Sequence, residues 1–198
     1  MGRPRIHDDD TRAELLAAAG RIVSEHGPAA LSLRRLAEEV DASTQAIYTL
    51  FDAKPGLIRA MYREGFTTLE RHLGAVEPRD DAASHLRELL LAYRSSARQQ
   101  PYLYDVMFAC PFPEFEPSEE DEALALGTLD VLRTALLHHQ ATGALPAGDI
   151  EPLTREIWAV GHGLASLELQ GALGEPDLAT AIWSSTIDHL LAGILAST

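Results

Sequence analysis

The segment from Leu33 to Asp52 constrains the fold more than any other part of the chain. Two short helical patterns follow each other there, with only Asp41, Ala42 and Ser43 between them. Ala37 is small enough to stand where two steeply crossing helices touch, and aspartate tolerates the left-handed backbone that a tight turn needs. Ser43 is suited to cap the second helix and to hold its N-terminus toward a phosphate. The segment therefore predicts a helix-turn-helix, whose apolar wedge would consist of Leu36, Val40, Ala42, Ile47 and Leu50.

The rest of the chain also has helical periodicity and almost no strand-like alternation. We expect an all-α fold with a three-helix N-terminal helix-turn-helix domain over 1–53, which includes a basic arm at 2–6 and extends into a long helix at 54–75. A larger C-terminal helical domain should occupy 76–198. About nine helices are predicted, at roughly 9–26, 33–40, 44–51, 54–75, 80–99, 101–109, 119–142, 149–173 and 177–196. The first should bury one face, formed by Leu15, Ala18, Ala19, Ile22 and Val23.

The charge is distributed unevenly along the 198 residues. The net charge is −14, but residues 1–63 carry nine basic and nine acidic side chains, so the remainder holds all of the excess. Only the N-terminal part can therefore approach phosphates without strong repulsion. An acidic surface that only keeps the protein soluble is the alternative explanation.

Composition also limits where the protein works and what chemistry it can do. Its one cysteine, Cys110, excludes an internal disulfide and has no cationic neighbour, which favours an inert thiol. No apolar run approaches the roughly 18 residues of a membrane span, and the N-terminus has no apolar signal-peptide core. We therefore expect a cytoplasmic protein that does not bind membranes.

No pattern of catalytic or cofactor-binding residues is present. The adjacent His138 and His139 would point about 100° apart on a helix, so a metal site is not expected. The acidic run 119–122 has the character of a solvated helix start. Phosphate loops, nucleophile elbows and zinc-protease helices are missing from the sequence, so neither an enzyme nor a cofactor is predicted.

From about Asp9 to Phe66 the sequence resembles the DNA-binding domain of the TetR family of transcriptional regulators. The resemblance rests on the run Ala46-Ile47-Tyr48 followed by Phe51, Lys54 and Leu57. It implies that the second helix of the pair lies in the major groove, where a glutamine can read adenine and a threonine methyl can meet thymine. The residues implied or suited to contact DNA are Arg34, Ser43, Thr44, Gln45, Ala46, Tyr48, Thr49 and the phosphate anchor Lys54. Exposed polar residues on a small helical bundle are the alternative.

The leading residues Gly2-Arg3-Pro4-Arg5 suit an arm in which Arg3 and Arg5 reach phosphates or the minor groove. A disordered chain start is an equally open interpretation.

The segment 156–169 carries two adjacent apolar stripes, which indicates burial on two sides, and the last predicted helix adds one apolar face. In the TetR family such helices form a four-helix dimer interface, and the Trp158, His162 and Gly163 arrangement resembles the WHG-type C-terminal domain. The residues implied at a dimer interface are Ile157, Val160, Leu164, Leu167, Trp183, Ile187, Leu190, Leu191 and Ile194. Packing of these stripes within one subunit is the alternative.

The resemblance further implies a small-molecule pocket in the C-terminal domain. Its candidate lining residues are Phe66, Tyr93, Tyr102, Met107, Phe108, Phe112, Trp158 and His162, although aromatic residues at helical spacing also form ordinary cores. The expected function is a repressor that binds a palindromic double-stranded DNA operator as a homodimer and is released by an unidentified small-molecule effector. The alternatives are an activator, an effector-independent DNA-binding protein, or an all-helical small-molecule-binding protein or enzyme.

Overall fold

A computed structural model describes residues 5–109 and 111–196 of the chain. Within these ranges the protein is all-α, as predicted, with no strand and with ten α-helices and one short 3-10 turn at Pro28–Ala30. The helices are α1 (Arg5–His26), α2 (Leu33–Glu39), α3 (Thr44–Phe51), α4 (Lys54–Gly74), α5 (Ala82–Gln99), α6 (Pro101–Phe108), α7 (Glu119–Gly127), α8 (Leu129–Ala141), α9 (Ile150–Leu169) and α10 (Pro176–Ala196). Arg3 and Cys110 lie outside the described residues.

One predicted helix is wrong, because the stretch 119–142 is two helices rather than one. α7 ends at Gly127, a residue with low helix propensity. The backbone N–H and the hydroxyl of Thr128 then both donate to the carbonyl of Ala125, three residues back, and α8 begins at Leu129. The break explains why ten helices are found where about nine were expected.

The chain divides into two compact units, the first comprising Met1–Phe66 and Gln100–Glu122. Its core contains the whole predicted apolar face of α1, from Leu15 to Val23, together with Leu36, Ile47 and Leu57. α6 also packs on α1. A Cβ at Gly20 would lie only 2.3 Å from the Tyr102 ring, so glycine permits this close approach.

The second unit comprises Thr67–Gln99 and Ala123–Thr198. Its core is formed by α5, α8, α9 and α10, with α9 packed against both α5 and α8. Gly161 lets α9 approach α5 closely, since a Cβ there would lie 2.9 Å from Leu90 Cδ2. α4 contributes its first part to the first unit and its residues from Thr67 onward to the second.

Candidate functional site

The turn between α2 and α3 has the geometry that the sequence predicts for a helix-turn-helix. Asp41 adopts a positive φ of 51°, and the Ala42 N–H donates to the Ala37 carbonyl at 3.0 Å. Ser32 caps α2 by accepting from the Arg35 N–H, and Ser43 caps α3 by accepting from the Ala46 N–H at 3.1 Å. The two caps and the left-handed aspartate fix where α3 begins and which way its N-terminus points.

α3 buries one face and presents the other. Ile47 and Phe51 are buried in the first unit, while Ala46 is half-buried. The exposed residues of the opposite face are Thr44, Gln45, Tyr48 and Thr49. Half of the Tyr48 surface is exposed, which is unusual for an aromatic residue on a well-packed helix. The Thr49 hydroxyl donates to the Gln45 carbonyl at 2.9 Å.

The start of α4 meets the end of α3 at close range. Asp52 has a positive φ of 66°, and a Cβ at Gly56 would lie 1.8 Å from the Phe51 carbonyl oxygen, so no larger residue fits without a shift of backbone. Lys54, the first residue of α4, pairs with Glu114 at 2.7 Å between Nζ and Oε1 and lies over the Phe112 ring at 5.6 Å. Its hydrogen bond to Glu114 lowers the pKa of that carboxyl group.

Two other predicted DNA-contacting arginines can be placed only in part. Arg34 is largely exposed on α2 and donates from Nε to Glu38 Oε1 at 3.0 Å. Arg5 opens α1, but its side chain is not among those described. The exposed α3 residues, Arg34 and Lys54 all belong to the first unit.

Asp121 of the first unit is a fully buried carboxylate that the sequence interpretation missed. The acidic run 119–122 was expected to be solvated, but the helical turn directs Asp121 inward. Its Oδ2 accepts from Arg59 Nε, from the Ser118 N–H and from the Ser118 hydroxyl, each at 2.9 Å, and its Oδ1 accepts from Arg63 Nε at 2.5 Å. Burial opposes the charge, but these donors outweigh it and lower the pKa of Asp121 to about 2.

Five of the residues suggested for a ligand pocket lie in the first unit. Phe66 packs edge-on against Phe108 with ring centroids 5.6 Å apart, and the Met107 side chain fills the space that a Cβ at Gly65 would take. Tyr102 packs on Gly20, and Phe112 is buried beneath Lys54.

The second unit contains a small cavity, with about 40 Å³ of free interior space and about 420 Å³ of empty space when its open mouth is counted. It is lined by α4, α5, α8 and α9 and by the residue that separates α7 from α8, and most of its wall is apolar. The lining residues are Leu69, Leu73, Leu89, Leu90, Tyr93, Thr128, Leu129, Leu132, Ile157, Trp158 and Gly161. Two of the suggested pocket residues, Tyr93 and Trp158, are therefore brought together here, but the leucines and Thr128 were not foreseen.

His162, the remaining candidate, lies beside these two residues. Its Nδ1 is 3.1 Å from the Tyr93 hydroxyl, and its ring centroid is 5.6 Å from that of Trp158. Burial lowers the pKa of His162, which favours a neutral imidazole at pH 7.

α9 and α10 pack through a buried polar cluster as well as through apolar side chains. Arg94 donates to both oxygens of Glu168 at 2.8 Å, and the Trp183 indole N–H donates to Glu168 Oε2 at 2.7 Å. These hydrogen bonds hold the Glu168 pKa below its usual range. Trp183 was suggested for a dimer interface, but its ring is fully buried inside the single chain.

The other residues suggested for the interface divide by exposure. Ile157, Leu164, Ile187 and Leu191 are buried within the chain, whereas the more accessible members are Val160, Leu167, Leu190 and Ile194. α10 is the one described helix long and apolar enough to cross a membrane by length and composition, which is weak evidence for a span. Only 22% of its most apolar stretch is buried, so much apolar surface on α10 is uncovered in the single chain.

A buried histidine pair lies elsewhere in the second unit. His85 Nδ1 is 3.0 Å from His139 Nε2, and His139 Nδ1 has no hydrogen-bond partner among the residues that the structure describes. Burial lowers the pKa of both imidazoles. Across 5–109 and 111–196 no group of three or more His, Cys, Asp or Glu side chains is arranged to hold a metal ion.

Two family models match the chain. One, described as bacterial regulatory proteins of the tetR family, matches residues 15–61. The other, described as the tetracyclin repressor-like C-terminal domain, matches residues 86–190. Neither description specifies the WHG-type grouping, which stays a prediction. No curated protein sequence matches the chain.

Solved structures with the same fold cover almost the whole chain. A protein of unknown function from a Rhodococcus species is 26% identical, with a TM-score of 0.80, 93% of this chain and 95% of that chain covered. The TetR family transcriptional regulator PfmR from Thermus thermophilus is 18% identical, with a TM-score of 0.72, 91% of this chain and 95% of that chain covered. The transcriptional regulator FadR from Bacillus subtilis, in complex with stearoyl-CoA, is 17% identical, with a TM-score of 0.73, 92% of this chain and 98% of that chain covered.

Proposed function

Because the chain belongs to the TetR family, whose members are DNA-binding transcriptional regulators and not enzymes, we propose that it is a cytoplasmic, ligand-responsive repressor. It would bind a palindromic operator as a homodimer and leave that operator when a small molecule binds. The observation that carries the proposal is α3, a capped helix with an outward face of polar residues and one exposed tyrosine. A dimer would present two such helices to half-sites spaced by turns of DNA.

On this proposal the outward residues of α3 read bases and the flanking residues hold phosphates. Gln45 would read an adenine, the methyl groups of Thr44 and Thr49 would meet thymines, and Ala46 would allow close approach. Ser43 would direct the α3 N-terminus to a phosphate, while Arg34 and Lys54 would neutralise others. Arg3 and Arg5 would serve as an arm toward the backbone or the minor groove.

Fluorescence anisotropy with the intergenic DNA upstream of the protein's own gene tests this function. The protein should bind that duplex tightly, with two subunits per site, and should bind a scrambled duplex at least about a thousandfold more weakly near physiological salt. Equal, salt-sensitive binding to both duplexes would contradict sequence recognition at this promoter.

Lys54 has a competitor for the phosphate that it is proposed to contact. The Glu114 carboxylate holds its ammonium group at 2.7 Å, and this pair must open when a phosphate takes its place. We expect Glu114→Gln to raise operator affinity about three- to fivefold, because a partly exposed ion pair contributes up to about 1 kcal/mol. The gain should shrink as salt is raised, since salt screens the pair that is lost.

The matched control is Glu116→Gln, which removes the same charge two residues further along the same Pro-rich stretch. It should change affinity less than about twofold, because only the general repulsion from DNA is reduced. Equal gains in both variants would show that charge alone, and not the release of Lys54, is responsible.

The proposed dimer interface uses the uncovered apolar surface of α9 and α10. Leu190 and Ile194 lie about one turn apart on α10 and, with Leu153 of α9, line the same open groove. Replacing both Leu190 and Ile194 by glutamate should raise the dimer dissociation constant at least about a hundredfold, because two charges would lose water without gaining partners.

Sedimentation velocity measures this change directly. Leu126→Glu is the control, since Leu126 is an exposed leucine on α7 and its replacement introduces the same side chain. A dimer that persists in the double variant, with native helicity, would contradict the placement of the interface on α10.

The effector is proposed to enter the cavity of the second unit. Leu69 and Leu73 of α4 line that cavity, and the same helix begins at Lys54 in the first unit. A ligand that moves these leucines would bias α4 and change the spacing of the two recognition helices. The size of this response is limited by the ligand's difference in affinity for the two arrangements.

A further inference from the structure

The described residues that line the cavity of the second unit include no charged side chain. Leucines from α4, α5 and α8 form most of the surface, and Ile157 and Trp158 complete it from α9. A carboxylate or phosphate in these surroundings would lose its hydration and gain no cationic partner, which is strongly unfavourable. The wall therefore favours an uncharged occupant over an anion such as a fatty acid or an acyl-CoA.

Thr128 adds a hydroxyl group to the largely apolar wall of the cavity. Its hydroxyl hydrogen is already donated to the Ala125 carbonyl at 2.7 Å. A threonine hydroxyl has one hydrogen and two lone pairs, so toward a ligand Thr128 can only accept. The second hydroxyl in the wall, that of Tyr93, is within hydrogen-bond distance of His162 Nδ1. A largely apolar ligand with one hydrogen-bond donor would therefore complement Thr128. A ligand whose only polar atom is a hydrogen-bond acceptor would not.

We infer that the occupant is a compact, uncharged and largely apolar molecule with one hydroxyl or N–H group that donates to Thr128 Oγ1. The inference rests on the proposed function, in which this cavity is the effector site, and it adds the chemical class of the effector. The interior of the cavity offers about 40 Å³ of free space, and about 420 Å³ is empty when the open mouth is counted, which favours a compact molecule over a long chain. A fused two-ring alcohol, which would fill the interior and extend into the open mouth, serves as a probe.

Three probes with the same ring system test the inference by isothermal titration calorimetry of the full-length chain. They are 2-naphthol, 2-methylnaphthalene and 2-naphthoate at pH 7, where a phenol is uncharged and a carboxylate is ionised. We expect both neutral probes to bind and 2-naphthoate to bind at least about a hundredfold more weakly than 2-naphthol. In NMR spectra, the indole N–H resonance of Trp158 should shift only with the probes that bind. Its assignment follows from its loss in Trp158→Phe.

Thr128→Val separates the hydrogen bond from the apolar contact, because valine keeps the shape of threonine without its oxygen. The variant should weaken 2-naphthol about tenfold and change 2-methylnaphthalene less than about twofold. Three results would each overturn the inference: 2-naphthoate binding as tightly as 2-naphthol, an equal effect of Thr128→Val on both neutral probes, or no binding of either neutral probe.

The operator-binding assay distinguishes a failure of this inference from a failure of the proposed function. A chain that binds its operator and ignores the neutral probes overturns the class of ligand but leaves the regulator intact. A chain that binds 2-naphthol and does not recognise any DNA sequence retains the ligand class and overturns the regulator.

Discussion

Replacing Asp121 by asparagine should lower the free energy of unfolding by about 2 to 3 kcal/mol, the largest stability change that we expect from any polar substitution. The carboxylate has no exposed surface, and it accepts hydrogen bonds from Arg59, Arg63 and Ser118. An asparagine in its place keeps the size but loses the charge that both guanidinium groups require. These groups are themselves about 40% exposed and can be rehydrated, so the loss should stay below that of a wholly buried pair.

Glu120→Gln is the matched control for this prediction. Glu120 lies next to Asp121 and pairs with the same Arg63 at 3.2 Å, but its side chain is 86% exposed. Its loss should cost less than about 0.5 kcal/mol. Urea unfolding followed by circular dichroism measures both variants, and equal losses would contradict the special contribution of the buried carboxylate.

The same carboxylate predicts a pH dependence. Its pKa is about 2 in the folded chain, against an ordinary value of 3.8. A lowered pKa means that the stabilisation is complete above about pH 4 and is lost as pH falls through 2. This difference in the pKa of Asp121 corresponds to about 2 kcal/mol of unfolding free energy. The gap in unfolding free energy between the native chain and Asp121→Asn should therefore narrow as pH falls from 4 toward 2.

Tyr48→Ala should weaken operator binding about 30-fold or more while leaving the fold and the dimer intact. Tyr48 projects from α3 with half of its surface exposed and lies on the face proposed to enter the major groove. A truncated aromatic anchor in a DNA interface costs about 2 kcal/mol or more, and little of that should appear in the unfolding free energy of the free protein. Anisotropy with operator DNA and urea unfolding measure the two quantities separately.

Ile47→Ala, one residue earlier, provides the opposite case. Ile47 is fully buried, so its truncation should cost about 2 to 4 kcal/mol of stability through the cavity that it leaves. Loss of DNA binding by Ile47→Ala would accompany loss of folded protein, whereas loss by Tyr48→Ala should not. A Tyr48→Ala protein that binds operator normally would remove Tyr48 from the recognition surface.

Local physics was sufficient to predict the helix-turn-helix from the sequence. Ser32 and Ser43 are caps in the structure because a serine before an apolar helical pattern satisfies a backbone N–H wherever it occurs. Asp41 adopts the left-handed conformation expected of it, and the apolar face of α1 is buried as its periodicity indicated. These features depend on residues a few positions apart, which a single sequence displays.

The sequence by itself therefore determined the helical class, most helix boundaries, which face of α3 is exposed and membership of the TetR family. Only the tertiary structure decided which distant residues meet. Asp121 is paired with Arg59 and Arg63, about sixty positions away, and Glu114 forms an ion pair with the Lys54 ammonium group. The cavity wall consists largely of leucines, whereas aromatic residues such as Phe66 and Phe108 pack with each other in the first unit. Periodicity shows that a face is buried, but the partner of that face is chosen by the path of the whole chain, which no local pattern encodes.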